Sequence, residues 1–153
     1  MNLRAVGLTA LLLTPLISFT FAADPAPAPG AAVHTKSSAP LHVSHGAEIQ
    51  LADYAVTGKT TVFDFYSEYC PPCRAIAPHL EALHSARPDL AVVKVDINRP
   101  GHRGIDWKSP VAAQYQLRSV PHFAVYGPDG KLAADGDEAY EMVVSLIKAS
   151  EKS

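Results

Sequence analysis

Residues 61–74 read TVFDFYSEYCPPCR, and the fold is decided here. Val62, Asp64 and Tyr66 alternate with Phe63 and Phe65. Both sets are largely apolar, so the first half predicts a strand buried on both sides, as in a parallel sheet covered by helices. One carboxylate, Asp64, interrupts it. Directly after the strand come Cys70 and Cys73, the only two cysteines in 153 residues, separated by Pro71 and Pro72.

Working outward, PPCRAIAPHLEALHSAR (71–87) spaces Cys73, Ile76, Leu80 and Leu83 by three and four, one stripe of a helix. AVVKVDI (91–97) is a second buried strand. Strand, helix and strand make a βαβ unit with its strands parallel. Ser109 and Pro110 then stand in N-cap and N1 order before a short helix, PVAAQYQL. HFAVYG and KLAAD flank the turn PDG as a hairpin. A last helix is expected to bury Tyr140, Val143, Val144 and Ile147. Upstream, AEIQLADY (47–54) is expected to give an edge strand and a short turn or helix. The expected fold is α/β: a mixed central sheet sandwiched by helices, in the order β-α-β-α-β-β-α over residues 41–150.

Residues 1–22 are expected to lie outside this domain. Arg4 precedes an uncharged run from Ala5 to Ala23, and Thr20 and Ala22 suit a signal-peptidase site. Cleavage near Ala22 and export, to a periplasm, is the expectation; an uncleaved membrane anchor is the alternative, since the run approaches the length of a span. Residues 23–40 are rich in Pro and Ala and are expected to form a disordered tether. A formal charge of −2 argues against nucleic acid as a partner. His34, His42 and His45 read as solvated residues in or just after the tether.

The thiols fall at informative places on this framework. Cys70 lies where the buried strand gives way to the helix, and Cys73 lies one turn in, on the core stripe. A helix N-terminus concentrates unpaired N–H groups and partial positive charge, which favours thiolate at Cys70. Cys70 is therefore expected to be presented to solvent as the nucleophile, with Cys73 sheltered beneath it as the thiol that resolves a mixed disulfide. A structural disulfide over so short a loop would stabilise little. Zinc needs two further ligands, and no second Cys-x-x-Cys or His pair supplies them, so no metal and no cofactor is expected. Asp64, two residues from the end of its strand, is expected to have a raised pKa and to accept a proton from Cys73, with Lys94 of the neighbouring strand as partner. The alternative is a carboxylate held for structural reasons alone.

With FDFYSEYCPPC, Pro78, VKVDIN and RSVPHF in place, the chain resembles the thioredoxin superfamily, specifically its exported members, over about residues 45–150. The resemblance implies a cis Pro121 lying against the active-site sulfurs, and backbone at Val120 that pairs with an extended substrate segment. It departs from the family at Tyr69, where Trp is usual, and at Pro71, where ordinary thioredoxins have Gly. Two prolines remove backbone N–H donors near the Cys70 sulfur, which stabilises the dithiol form less and favours a reductant.

The loop NRPGHRGIDWK (98–108) is longer than a minimal connection and leaves its strand on the same edge as Cys70. Arg99, His102, Arg103 and Trp107 are expected to form a docking surface there, the alternative being that Trp107 packs under the loop. Tyr69, Val120 and Trp107 are thus the expected substrate contacts. His122 is expected to pack and His79 and His84 to lie on a helix surface. The expected activity is a reductase of disulfides in client proteins, monomeric and kept reduced by a membrane electron donor. A dithiol oxidase or isomerase, and a Cu(I) metallochaperone using the soft thiolates, are the rival readings.

Overall fold

The structure, a computed structural model, describes residues 35–152. The expected signal peptide, and most of the expected tether with His34, lie outside the described residues. Among the described residues no helix is long and apolar enough to cross a membrane.

Strand β2 (Thr60–Tyr66) is the axis of a five-stranded sheet. It runs parallel to β3 (Leu90–Asp96), which runs parallel to the edge strand β1 (Leu41–Val43). On its other side β2 pairs antiparallel with β4 (His122–Tyr126), and β4 with β5 (Leu132–Asp135). The alternation of TVFDFY appears as two cores. Phe63 and Phe65 pack with Val93, Val95 and Val111 on one face; Val62 packs with Leu80, Leu83, Phe123 and Val143 on the other. Helix α1 (Pro71–Ala86) and α3 (Gly136–Ser150) cover the Val62 face, and α2 (Pro110–Gln114) covers the Phe face.

Four local expectations are corrected. The edge strand is Leu41–Val43 and not part of residues 47–54, which supply only a single 3-10 turn at Leu51–Tyr54. Helix α2 stops at Gln114 because Gln116 takes φ +51°, which no α-helix tolerates. In α3 the buried positions are Ala139, Val143 and Ile147, an i, i+4, i+8 line; Tyr140 lies at its margin, exposed, with its ring tilted on Phe123. His84 is buried, not on the surface: Val92 N–H donates to its Nδ1 at 3.0 Å, and its Nε2–H donates to the Ser37 carbonyl at 3.0 Å. β1 first pairs with β3 at Val93, so the His84 ring serves the strand N–H just ahead of that pairing. The end of the expected tether also touches the domain, since the Lys36 ammonium caps α1 by donating to the carbonyls of His84 and Arg87.

Candidate active site

Cys70 is the N-cap of α1, with Pro71 and Pro72 at the first two helical positions. Proline suits the start of a helix, but neither residue offers an N–H. Among the described residues only Cys73 N–H donates to the Cys70 sulfur, at 3.1 Å. The two sulfurs form a disulfide, with the Cα atoms 5.3 Å apart. The sequence placed Cys70 in solvent, and in this oxidised state it is not: Cys70 and Cys73 are each 2 % exposed. The Cys70 sulfur lies 3.4 Å from the Val120 carbonyl oxygen. The Val120–Pro121 peptide is cis, as the resemblance implied. The start of α1 and the loop at 120–121, distant in sequence, are thereby brought together.

Asp64 lies on the α1 side of the sheet, the side toward which Cys73 faces. It is fully buried, and neither carboxylate oxygen has a hydrogen-bond partner among the described residues. Burial pushes its pKa up to about 7, with the nearby Lys94 charge opposing. Lys94 is its register neighbour, as expected, yet no salt bridge joins them among the described residues. The Lys94 ammonium stands instead over the Tyr66 ring, 4.6 Å from its centroid.

A cleft of about 490 Å³ is lined by Tyr66, Glu68 and Tyr69, just before Cys70 in the chain, and by His45, Asp96 and residues 98–103. The loop is firmly built. Asp106, buried, takes two hydrogen bonds from the Arg99 guanidinium at 2.7 and 3.0 Å, which holds its carboxyl below the usual range. Asn98 donates to the Gly104 carbonyl at 2.6 Å. Gly46, at φ +82°, lies so close that a Cβ there would meet Arg99 N at 2.7 Å. Arg99 and His102 are therefore tied to Asp106, with His102 at 3.8 Å, while Arg103 has no salt bridge among the described residues. Tyr69 is 41 % exposed on the cleft rim, its phenol pKa raised by a hydrogen bond with Glu68. Trp107 does not pack under the loop; it is 42 % exposed and lines a separate hollow with Ile105 and Lys108. The structure does not bring Trp107 into the cleft that holds Tyr69.

A dithiol–disulfide pair at a helix start, a cis-proline beside it and a buried carboxyl on the same side match a known pattern. The thioredoxin family model covers residues 50–149. The chain belongs to the thioredoxin family. It is 30 % identical over 92 residues to a thioredoxin of Mycoplasmoides gallisepticum, covering 60 % of this chain and 81 % of that one. It is 36 % identical over 75 residues to a thioredoxin of Streptomyces clavuligerus, covering 49 % of this chain and 63 %, less than two thirds, of the relative. Among solved structures, Chlamydomonas reinhardtii thioredoxin f2 superposes with a TM-score of 0.52 at 25 % identity, over 74 % of this chain and 98 % of that one. The Cys70–Cys73 pair is accordingly the centre of a thioredoxin-type thiol–disulfide oxidoreductase.

The remaining histidines of this thioredoxin-family chain are accounted for by packing and pairing. His122 lies edge-on to Phe65 and pairs with Asp135 at 3.0 Å; His79 pairs with Glu151 at 2.9 Å on the helix surface. Among the described residues no group of three or more His, Cys, Asp or Glu is assembled to hold a metal. The residue that reading by sequence missed is His42, which was assigned to solvent. Its Nδ1 meets the Tyr66 hydroxyl at 3.0 Å. Only the pairing of β1 with β3 brings the two together.

Proposed function

We propose that this protein is an exported reductase of client-protein disulfides, re-reduced by a membrane electron donor. The observation that carries the reductive chemistry is the unpartnered, buried Asp64 carboxyl on the Cys73 side of the sheet. A structural disulfide has no use for so costly a group. A resolving thiol does, since it must lose a proton to attack.

The reaction starts from the dithiol. Cys70 thiolate attacks one sulfur of a client disulfide, forming a mixed disulfide and expelling the other client sulfur as thiolate, which takes up a proton. Cys73 passes its proton to Asp64 and attacks Cys70 Sγ. The intermolecular bond breaks, the second client sulfur leaves and is protonated, and the Cys70–Cys73 disulfide remains. Two electrons have moved to the client. Returning the protein to its dithiol takes two electrons and two protons from the donor.

A client disulfide engages the reduced form alongside Val120 and Pro121, because only the Cys70 thiolate can attack it. Tyr69 and the cleft toward Arg103 contact the client next to its cysteine, and Trp107 adds a contact farther out. The direction is supported by Pro71 and Pro72, which leave one backbone N–H on the Cys70 sulfur. Export is supported by the sequence of residues 1–22, and N-terminal sequencing of the exported protein tests it.

The deciding experiment is trapping with the full chain carrying Cys73→Ser. Mixed disulfides at Cys70 accumulate and identify the clients. A variant that traps nothing, while the unmodified protein still reduces insulin, removes Cys70 as nucleophile.

A further inference from the structure

A row of polar side chains crosses the sheet from the buried carboxyl to solvent. Asp64 stands beside Lys94 in the β2–β3 register, and Lys94 beside His42 in the β3–β1 register. Tyr66, two residues beyond Asp64 on the same side, closes the row. Its hydroxyl and His42 Nδ1 share a hydrogen bond at 3.0 Å, and the two rings meet edge-on with centroids 5.8 Å apart. Burial raises the phenol to about 12, so it keeps its proton at neutral pH. Burial and the Lys94 charge lower the His42 pKa, which favours the neutral imidazole.

The arrangement poses a question of partners. A lysine beside a buried carboxylate ordinarily pairs with it, because each relieves the other's desolvation. Here the ammonium lies over the Tyr66 ring, and both Asp64 oxygens are without a hydrogen-bond partner among the described residues. A desolvated cation–π contact is strong enough to compete for the ammonium. The ring is held in turn by the His42 hydrogen bond.

We propose that Tyr66, anchored by His42, is a positioning residue that holds the Lys94 ammonium off Asp64, so that the carboxyl remains protonatable for the thiol chemistry instead of being fixed as an ion-pair partner. The purpose rests on the proton-accepting role given to Asp64 above, but the geometry and its test do not. The charged and titratable groups around the row are Lys94 and Asp96 from β3, His42 and His45 from β1 and its following turn, Tyr66 and Glu68 from β2 and its following loop, and Glu81 from α1. β4 contributes the apolar Phe123 next to Asp64.

The test is the Asp64 titration in the oxidised full chain, followed by the 13C shift of its side-chain carboxyl. Tyr66→Leu frees Lys94 to reach Asp64, and the midpoint falls by about one pH unit or more, the effect of an opposite charge at close range. Tyr66→Phe keeps the ring under Lys94 but removes the hydroxyl that meets His42, and its midpoint falls by clearly less than that of Tyr66→Leu. A folded Tyr66→Leu variant with an unchanged midpoint overturns the proposal, as does a Tyr66→Phe variant that falls equally far. Should Tyr66→Leu fail to fold, the unmodified protein still decides. Lys94 ε-protons shifted upfield by the ring current support the contact, and unshifted ones overturn it. No client is involved, so failure here is separate from a failure of the trapping experiment.

Discussion

Burial of the Asp64 carboxyl ties its protonation to the stability of the domain. The group titrates near 4 in an unfolded chain and about 7 in the fold, raised by burial. Between those values the native state binds more protons than the unfolded state. Stability therefore falls as pH rises from about 4 to 7, and levels off above. Three pH units correspond to a loss on the order of 4 kcal/mol. Asp64→Asn removes the titration while keeping the shape. In urea denaturation of the oxidised protein, the variant is expected to be more stable by a few kcal/mol at pH 8, with the gain vanishing toward pH 4. Parallel curves for the two proteins would show that the carboxyl is not held protonated by the fold. Asp64 was legible in the sequence because a single charge in an alternating apolar strand has few bland explanations. His42 was not, because nothing in LHV marks a strand or names a partner more than twenty residues away.

At the start of α1, the missing N–H groups make a prediction about redox poise. An N-cap side chain accepts from the second or third helical N–H. Here the third, from Cys73, serves the Cys70 sulfur, and the second is absent because Pro72 has none. Pro72→Ala restores it. One further hydrogen bond to a thiolate, at about 1.5 kcal/mol, makes the couple roughly 30 mV more oxidising and lowers the Cys70 thiol pKa by about one unit. Equilibration with glutathione measures the first and thiolate absorbance the second; no change in either would mean that the helix start does not govern Cys70. The 98–108 loop offers a second check. Gly46→Ala puts a Cβ against the Arg99 backbone at a position with φ +82°, and is expected to cost about 1–3 kcal/mol and to speed amide exchange in the loop. Global destabilisation without faster loop exchange would show that Gly46 does not buttress the loop. The loop's position was readable from parallel strands ending together. Its order was not, since Asn98, Asp106 and Gly46 meet only through contacts that spacing does not encode.

The strand–helix–strand unit, the hairpin and the two-faced core follow from periodicity, which is why the architecture was visible in advance. The boundary of the folded body was not, because a Pro/Ala-rich segment looks alike whether or not its last residues dock. Lys36 donates to the carbonyls at the end of α1, and the Ser37 carbonyl accepts from His84, whose other nitrogen serves Val92 N–H. This network joins the stretch before β1, the end of α1 and the middle of the sheet. A chain beginning at residue 41 loses the first member and leaves the buried His84 Nε2–H without its acceptor. It is expected to be less stable than a chain beginning at residue 35 by about 1–3 kcal/mol, the usual cost of a buried polar group left unsatisfied. His84→Leu in the longer chain is destabilising for the same reason, since it orphans Val92 N–H. Combined, the two changes are expected to cost less than their separate effects together, because the truncation has no His84 partner left to strand. Strict additivity in chemical denaturation would mean that residues 36 and 37 stabilise the domain through Lys36 alone.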